Sequence, residues 1–323
     1  MNALGRAPVT IVTGFLGSGK TTLVNRLLTS GAAGRVAALV NDFGAIDIDA
    51  ALVSSVAGDV VQLSNGCVCC TINSDLYNAA NQVLALDPPV DRIVVETTGL
   101  ADPLPVGLTF LQTDLRERTN LDAVITVVDC ANFALDLFKA DAAMAQIVHG
   151  DIIILNKTDL VSQAAVESLE ARIGALKRRA RFLRSVHGQI PFALVLDIPE
   201  GAANLDATRK PAHTHAAERE QFQAFSFELS APISAERFQT WLDSSLPAGL
   251  YRAKGLVRFD SSPDTFVFQL CGARASYDVF DQPLDASRLV FIGRGIDRES
   301  LAKDLDWCLA GRHETSAMIG SKF

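Results

Sequence analysis

The sequence predicts an α/β protein: a three-layer domain around a mostly parallel sheet, followed by a smaller α+β domain. Three observations predict it. From Val9 to about Leu196, short apolar runs of strand length alternate with stretches of helical periodicity. A glycine-rich turn, Gly14-Phe15-Leu16-Gly17-Ser18-Gly19-Lys20-Thr21, joins the first of those strands to the first helix. From Asp197 to Glu220 the pattern gives way to Pro, Gly, Ala, Asn, Thr and charges, and then resumes in a second set of strands and helices. Alternating strands and helices put helices on both faces of a parallel sheet. The expected divisions are residues 1–197, a linker at 198–220, a second domain at 221–312 and a tail at 313–323.

The turn fits G-x-x-x-x-G-K-[ST]. Val9, Ile11 and Val12 supply a buried strand before it, and Leu23, Val24, Leu27 and Leu28 repeat at helical spacing after it. Backbone N–H groups in such a loop, with the helix N-terminus, cradle phosphate oxygens. Gly17, Ser18, Gly19, Lys20, Thr21 and Thr22 are the expected cradle. Lys20 neutralises the β- and γ-phosphates there, and the Thr21 hydroxyl ligates Mg²⁺. A βα turn that binds nothing does not account for the whole pattern in that context.

Val36 to Val40 is a second buried strand, running into Asn41-Asp42-Phe43-Gly44-Ala45-Ile46-Asp47-Ile48-Asp49. The segment after the first helix of a P-loop GTPase is commonly a switch that senses the γ-phosphate. Asp42, Asp47 and Asp49 there can reach Mg²⁺, position water or bind a second metal; capping a turn is the plainer role. Val60 to Leu63 leads to Ser64-Asn65-Gly66-Cys67-Val68-Cys69-Cys70. Thiolates select Zn²⁺, Cu⁺ or similar ions over Mg²⁺. Three sulfurs leave one tetrahedral position open, as a transfer site requires. A buried cysteine patch and a vicinal redox pair are the alternatives.

Asp75 to Leu86 reads as an amphipathic helix stopped by Asp87-Pro88-Pro89. The strand Arg92 to Val95 ends in Glu96-Thr97-Thr98-Gly99, an E-x-x-G in which Glu96 acts on Mg²⁺ through water and the Gly99 N–H senses the γ-phosphate. Strands at Ala123–Asp129 and Asp151–Leu155 follow, the latter ending in Asn156-Lys157-Thr158-Asp159. This N-K-x-D is the guanine-reading tetrapeptide of P-loop GTPases. Asp159 accepts from guanine N1–H and the 2-amino group, the Lys157 stem lies along the base, and Asn156 fixes the loop, which favours GTP over ATP.

In the second domain, Phe225, Phe227 and Leu229 alternate as a strand, and Phe238, Trp241 and Leu242 mark a helix face. Leu256–Phe259, Thr265–Leu270 and Leu289–Ile292 read as further strands, about four in all, before a last helix at Leu301, Leu305, Cys308 and Leu309. Cys130, Cys271 and Cys308 have apolar neighbours and read as packing residues. The net charge of −8 gives no broad attraction to nucleic acid or to an anionic membrane. Lys177, Arg178, Arg179, Arg181 and Arg184 cluster, and read as a solvated helix end. No apolar run is long enough to span a bilayer, and the first eight residues are too polar for a signal peptide, so a cytoplasmic protein is expected.

In this order G-F-L-G-S-G-K-T-T, N-D-F-G, N-G-C-V-C-C, E-T-T-G and N-K-T-D resemble the CobW-like metallochaperone GTPases of the CobW/HypB/UreG class. Tyr251-Arg252-Ala253-Lys254-Gly255 and Phe291-Ile292-Gly293-Arg294 resemble that family's C-terminal domain. The resemblance implies a slow GTPase using GTP/GDP and Mg²⁺, with Zn²⁺ (or Co²⁺) at Cys67, Cys69 and Cys70. It implies delivery of metal to a client metalloprotein or cofactor-insertion enzyme, and it leaves a homodimer open. Lys20, Asp42 and Glu96 are the expected catalytic residues. The sequence departs from the family where N-E-F-G-E is usual: Asp42 is the shorter acid and Ala45 carries none. In place of a long His-rich stretch there are only His213 and His215. The rival readings are a GTP-regulated interaction switch with structural cysteines and a small-molecule kinase; the guanine-reading tetrapeptide speaks against the kinase.

Overall fold

The strand β1 (Ala7–Thr13) is buried at every position, and the sheet is built outward from it. The computed structural model describes residues 5–30, 34–40, 59–62, 74–133, 141–197 and 222–311. By their contacts these fall into two units. The first runs to residue 197 and includes the turn Cys271–Arg274; the second comprises the remainder from residue 222.

In the first unit the strands after β1 are β2 (Val36–Val40), β3 (Asp59–Gln62), β4 (Arg92–Glu96), β5 (Thr119–Asp129), β6 (Ile152–Asn156) and β7 (Phe182–Arg184). They form a seven-stranded sheet of order β3-β2-β4-β1-β5-β6-β7, with every pairing parallel. The helices are α1 (Lys20–Thr29), α2 (Ser74–Leu84), α3 (Pro103–Gln112), α4 (Asp141–His149) and α5 (Gln163–Leu176). Crossovers between parallel strands are right-handed. The order of the strands therefore sends α1 to one face and α2 to α5 to the other, the three layers the alternation predicts. On the second face Val9, Ile11, Leu39, Ile93 and Val95 pack against Leu76, Ala80 and Val83 of α2 and Val106 and Phe110 of α3. Ile153 and Leu155 pack against Ile147 of α4 and Val166, Leu169 and Ile173 of α5. Burying each such side chain contributes about 1.5–3 kcal/mol, and continuous apolar strands such as Ile152 to Leu155 need cover on both faces.

Helix starts follow local chemistry. Asp102 caps α3 by accepting from Leu104 N at 2.9 Å, with Pro103 in the first turn. Ser162 caps α5, accepting from Ala165 N at 3.3 Å. Helix α1 has no side-chain cap; Gly19, in the left-handed region, precedes it.

The basic cluster departs only in part from the expected solvated helix end. Arg181 is buried, Arg184 makes paired hydrogen bonds to Glu170, and Lys177 Nζ donates to Val148 O. Arg178 and Arg184 are exposed, as a solvated helix end requires, and only Arg181 is withdrawn from solvent.

The second unit has a five-stranded sheet, order β11-β10-β9-β12-β8: β8 (Phe222–Leu229), β9 (Leu250–Arg258), β10 (Thr265–Cys271), β11 (Arg274–Phe280) and β12 (Ser287–Arg294). β12 runs antiparallel to β8 and β9. Helices α6 (Ala235–Ser244) and α7 (Arg298–Trp307) contribute Phe238, Trp241, Leu301 and Leu305 to a core with Phe268, Leu289 and Phe291. The four expected strands become five. β11 lies at an edge, where Ala275, Tyr277 and Val279 alternate with Arg274, Ser276 and Asp278 and no continuous apolar run marks the strand. β9 begins at Leu250 rather than Leu256 because Arg252 and Lys254 interrupt its apolar pattern.

Candidate nucleotide site

The loop between β1 and α1 has the shape its glycines permit. Gly14, Gly17 and Gly19 have φ of 142°, 71° and 100°, a region that strains residues with a Cβ. At Gly14 a Cβ would lie 2.1 Å from Val127 O, so the loop is pressed against β5. Among the described residues nothing stands within 4 Å of a Cβ placed on Gly17, which leaves that side of the loop free of them. The uncapped start of α1 faces an anion naturally, because its first N–H groups have no partner within the helix. Lys20 turns its ammonium back to Phe15 O at 3.2 Å. The Ser18 hydroxyl, fully buried, has no hydrogen-bond partner among the described residues. A phosphate group fits this combination of glycine loop, folded-back lysine and unsatisfied hydroxyl.

Parallel pairing brings the ends of β1 and β4 side by side, with Val12 opposite Glu96. The Thr21 hydroxyl donates to Glu96 Oε1 at 2.7 Å, and Thr97 Oγ1 donates to Thr13 Oγ1 at 2.9 Å. Glu96, Thr97 and Thr98 are all buried, and Thr98 Oγ1 has no partner among the described residues. A hydroxyl and a carboxylate side by side are oxygen donors of the kind Mg²⁺ takes. Gly99 sits directly on the loop; a Cβ there would meet Leu16 N at 2.6 Å.

At the end of β6, Asn156 joins three segments. Its Nδ2 donates to Ser18 O at 2.9 Å, and its Oδ1 accepts from Gly188 N at 3.0 Å. A Cβ on Gly19 would lie 2.5 Å from that Nδ2, so the close approach requires glycine. Lys157 follows with a φ of 61° and pairs with Asp129 Oδ2 at 2.7 Å. Burial raises the pKa of Asp129, but hydrogen bonds from Lys157, Asn132 and Ala131 outweigh it and hold the carboxyl below its ordinary value. Asp159 is exposed beside Leu160, also exposed.

The structure thus brings Gly17, Ser18, Gly19, Lys20, Thr21, Thr22, Glu96, Gly99, Asn156, Lys157 and Asp159 to the C-terminal ends of β1, β4 and β6, on one edge of the sheet. Asp42, Ala45, Cys67, Cys69, Cys70, His213 and His215 lie outside the described residues. Among the described residues no group of three or more His, Cys, Asp or Glu side chains is arranged to hold a metal. Two contributors were not visible in the motifs. Ser185, Val186, His187 and Gly188 form the loop that faces Asn156, and the Ser185 hydroxyl is buried without a partner among the described residues. Gln146 of α4 reaches the Gly99 segment from below.

The sequence profile of the CobW/HypB/UreG nucleotide-binding domain matches residues 8–184. The chain belongs to the CobW/HypB/UreG family. The CobW C-terminal domain profile matches residues 222–309. "Zinc chaperone YjiA" of Escherichia coli strain K12 is 31% identical, over 91% of this chain and 96% of its own. "Zinc-regulated GTPase metalloprotein activator 1" of Schizosaccharomyces pombe is 31% identical, over 92% and 82%. "Zinc chaperone CobW" of a Sinorhizobium species is 29% identical, over 90% and 93%. As a member of the CobW/HypB/UreG family the chain is a GTPase. No helix among the described residues is long and apolar enough to cross a membrane.

Proposed function

We propose that this CobW/HypB/UreG protein is a metal-delivering GTPase, loading Zn²⁺ as cargo on Cys67, Cys69 and Cys70 and releasing it to a client metalloprotein as GTP is hydrolysed. The observation that carries the nucleotide half is the Thr21–Glu96 hydrogen bond, which joins the phosphate loop to the E-x-x-G segment. The names of the relatives, zinc chaperones and a zinc-regulated GTPase, support the metal half.

In this reading the loop from Gly17 to Thr22 holds the phosphates, with Lys20 swinging from Phe15 O to the β- and γ-phosphates. Thr21 would hold Mg²⁺ and Glu96 would act on it through water. When bound, Mg²⁺ neutralises charge on the β- and γ-phosphates. Gly99 reports the γ-phosphate through its N–H. Asn156 ties the base-reading loop to Ser18, Lys157 lays its stem along the base, and Asp159 selects guanine. Asp42 is assigned to the switch. Co²⁺ is the competing cargo, and the cytoplasm is the compartment in which three free thiols stay reduced.

Cys67, Cys69 and Cys70 lie in sequence between the two segments assigned to γ-phosphate sensing. If GTP orders the thiolates, GTP tightens metal binding and metal tightens GTP by the same factor. The test is a Zn²⁺ titration against a chromophoric chelator, run without nucleotide, with Mg²⁺–GDP and with a non-hydrolysable Mg²⁺–GTP analogue. Wild type is compared with the triple variant Cys67→Ala/Cys69→Ala/Cys70→Ala. Cysteine-dependent binding that strengthens with the analogue is expected. Binding indifferent to nucleotide, or unaffected by the triple substitution, overturns the proposal and favours an interaction switch.

A further inference from the structure

The side chain of Gln146 is buried in the first unit, at 2% exposure, and a buried primary amide needs acceptors for both of its N–H bonds. Both are found on one short segment. Nε2 donates to Gly99 O at 3.1 Å and to Ala101 O at 3.0 Å. Two carbonyls at these distances admit only the nitrogen side of the amide, so the orientation of the side chain is fixed by chemistry. The backbone of Gln146 is fixed as well. Its carbonyl accepts from Thr126 Oγ1 at 2.6 Å and from Gly150 N at 3.1 Å, which ties α4 to β5.

On its other side the same segment rests on the phosphate loop, since Gly99 leaves no room for a Cβ against Leu16 N. The backbone that follows the Gly99 N–H is therefore held between the β1–α1 loop and an amide anchored in the sheet. We propose that Gln146 is a positioning residue for γ-phosphate sensing: by binding Gly99 O and Ala101 O it sets the Gly99 N–H against the phosphate loop. This rests on the reading of Gly99 as the γ-phosphate sensor. Neither a glutamate nor an apolar residue of the same length does this work. Glutamate has no N–H to donate, and methionine leaves two buried carbonyls without their donor.

The test uses the full chain with Gln146→Met and Gln146→Asn, the latter keeping the amide but one methylene short of reaching both carbonyls. Affinities for Mg²⁺–GDP and for a non-hydrolysable Mg²⁺–GTP analogue are measured, with kcat and KM for GTP. A positioning role predicts that Gln146→Met loses about tenfold in analogue affinity and in kcat, while GDP affinity stays within about twofold. Gln146→Asn shows a smaller loss with the same selectivity, and it decides the matter if Gln146→Met does not fold. Equal losses for both nucleotides, or no loss for either, overturn the proposal. Gly99→Ala is run in parallel. If Gly99→Ala leaves analogue affinity unchanged, the sensor reading itself has failed. If Gly99→Ala loses analogue affinity selectively and the Gln146 variants do not, only the role of Gln146 has failed.

Discussion

Thr21 and Glu96 are 75 residues apart in sequence and meet through a 2.7 Å hydrogen bond at the end of β4. The hydroxyl comes from the first turn of α1 and the carboxylate from the last residue of β4. Replacing Glu96 by Gln keeps the size and removes the charge. The expected result is a fall in kcat of roughly 10²–10³-fold, with GDP affinity in the absence of Mg²⁺ nearly unchanged. Single-turnover hydrolysis and equilibrium GDP binding measure the two separately, and a matching loss in both would remove Glu96 from the chemistry.

Asn156 links the β1–α1 loop to the Ser185–Gly188 loop through Ser18 O and Gly188 N. Asn156→Ala removes both bonds and leaves a buried carbonyl and a buried N–H without their partner. Each such loss costs about 1–3 kcal/mol, and 1.4 kcal/mol is tenfold in affinity. GDP and GTP-analogue affinities should therefore both fall by about 10- to 100-fold, which titration of a fluorescent nucleotide would show.

Asp129 gives a pH dependence whose sign follows from its depressed pKa. A carboxyl with a lower pKa in the folded state contributes stability above its unfolded pKa, about 3.9. That contribution is lost as pH falls from there through the folded value. Wild type should lose stability more steeply than Asp129→Asn below about pH 4, and the two should run parallel above about pH 5. Urea unfolding at a series of pH values tests this; parallel curves throughout would show that the Lys157–Asp129 pair adds nothing.

The nucleotide half of the site was legible because its chemistry is local. Gly14, Gly19, Lys20 and Thr21 declare themselves within eight residues, and Asn156, Lys157 and Asp159 within four. A mostly parallel sheet was legible from apolar runs such as Ile152 to Leu155, and the sheet of the first unit is parallel at every pairing. What escaped depends on distance in the chain. Gln146 is one amide in an apolar helix, and its partners lie 47 and 45 residues away. The Ser185–Gly188 loop has no motif of its own; only its contact with Asn156 marks it. Edge strand β11 has no continuous apolar run, only the alternation of Ala275, Tyr277 and Val279 with polar residues, which the reading by apolar runs passed over.

Arg92 also escaped, since the sequence marks it only as the first residue of an apolar strand. It is 1% exposed, and its guanidinium donates to Asp122 and Thr10 Oγ1 and to the carbonyl of Asp197. Breaking a buried pair costs more than replacing it whole. Arg92→Met should destabilise the first unit by about 3–5 kcal/mol, and Arg92→Met/Asp122→Leu should recover much of that. Denaturant unfolding of the two variants compares them directly.

Strand β3 is the shortest way to the cysteine motif, and it meets the sheet through β2 alone, over four residues from Asp59 to Gln62. The nucleotide loops hang instead on β1, β4, β5 and β6, each with neighbours on both sides. Subglobal opening starts where cooperative contacts are fewest. The sheet is thus graded in cooperativity from its centre to its two rims, β3 and β7, and the β3 rim is next in sequence to the residues proposed to hold metal. Amide exchange should reach β3 before β1 and β4, the rim opening while the centre of the sheet stays folded.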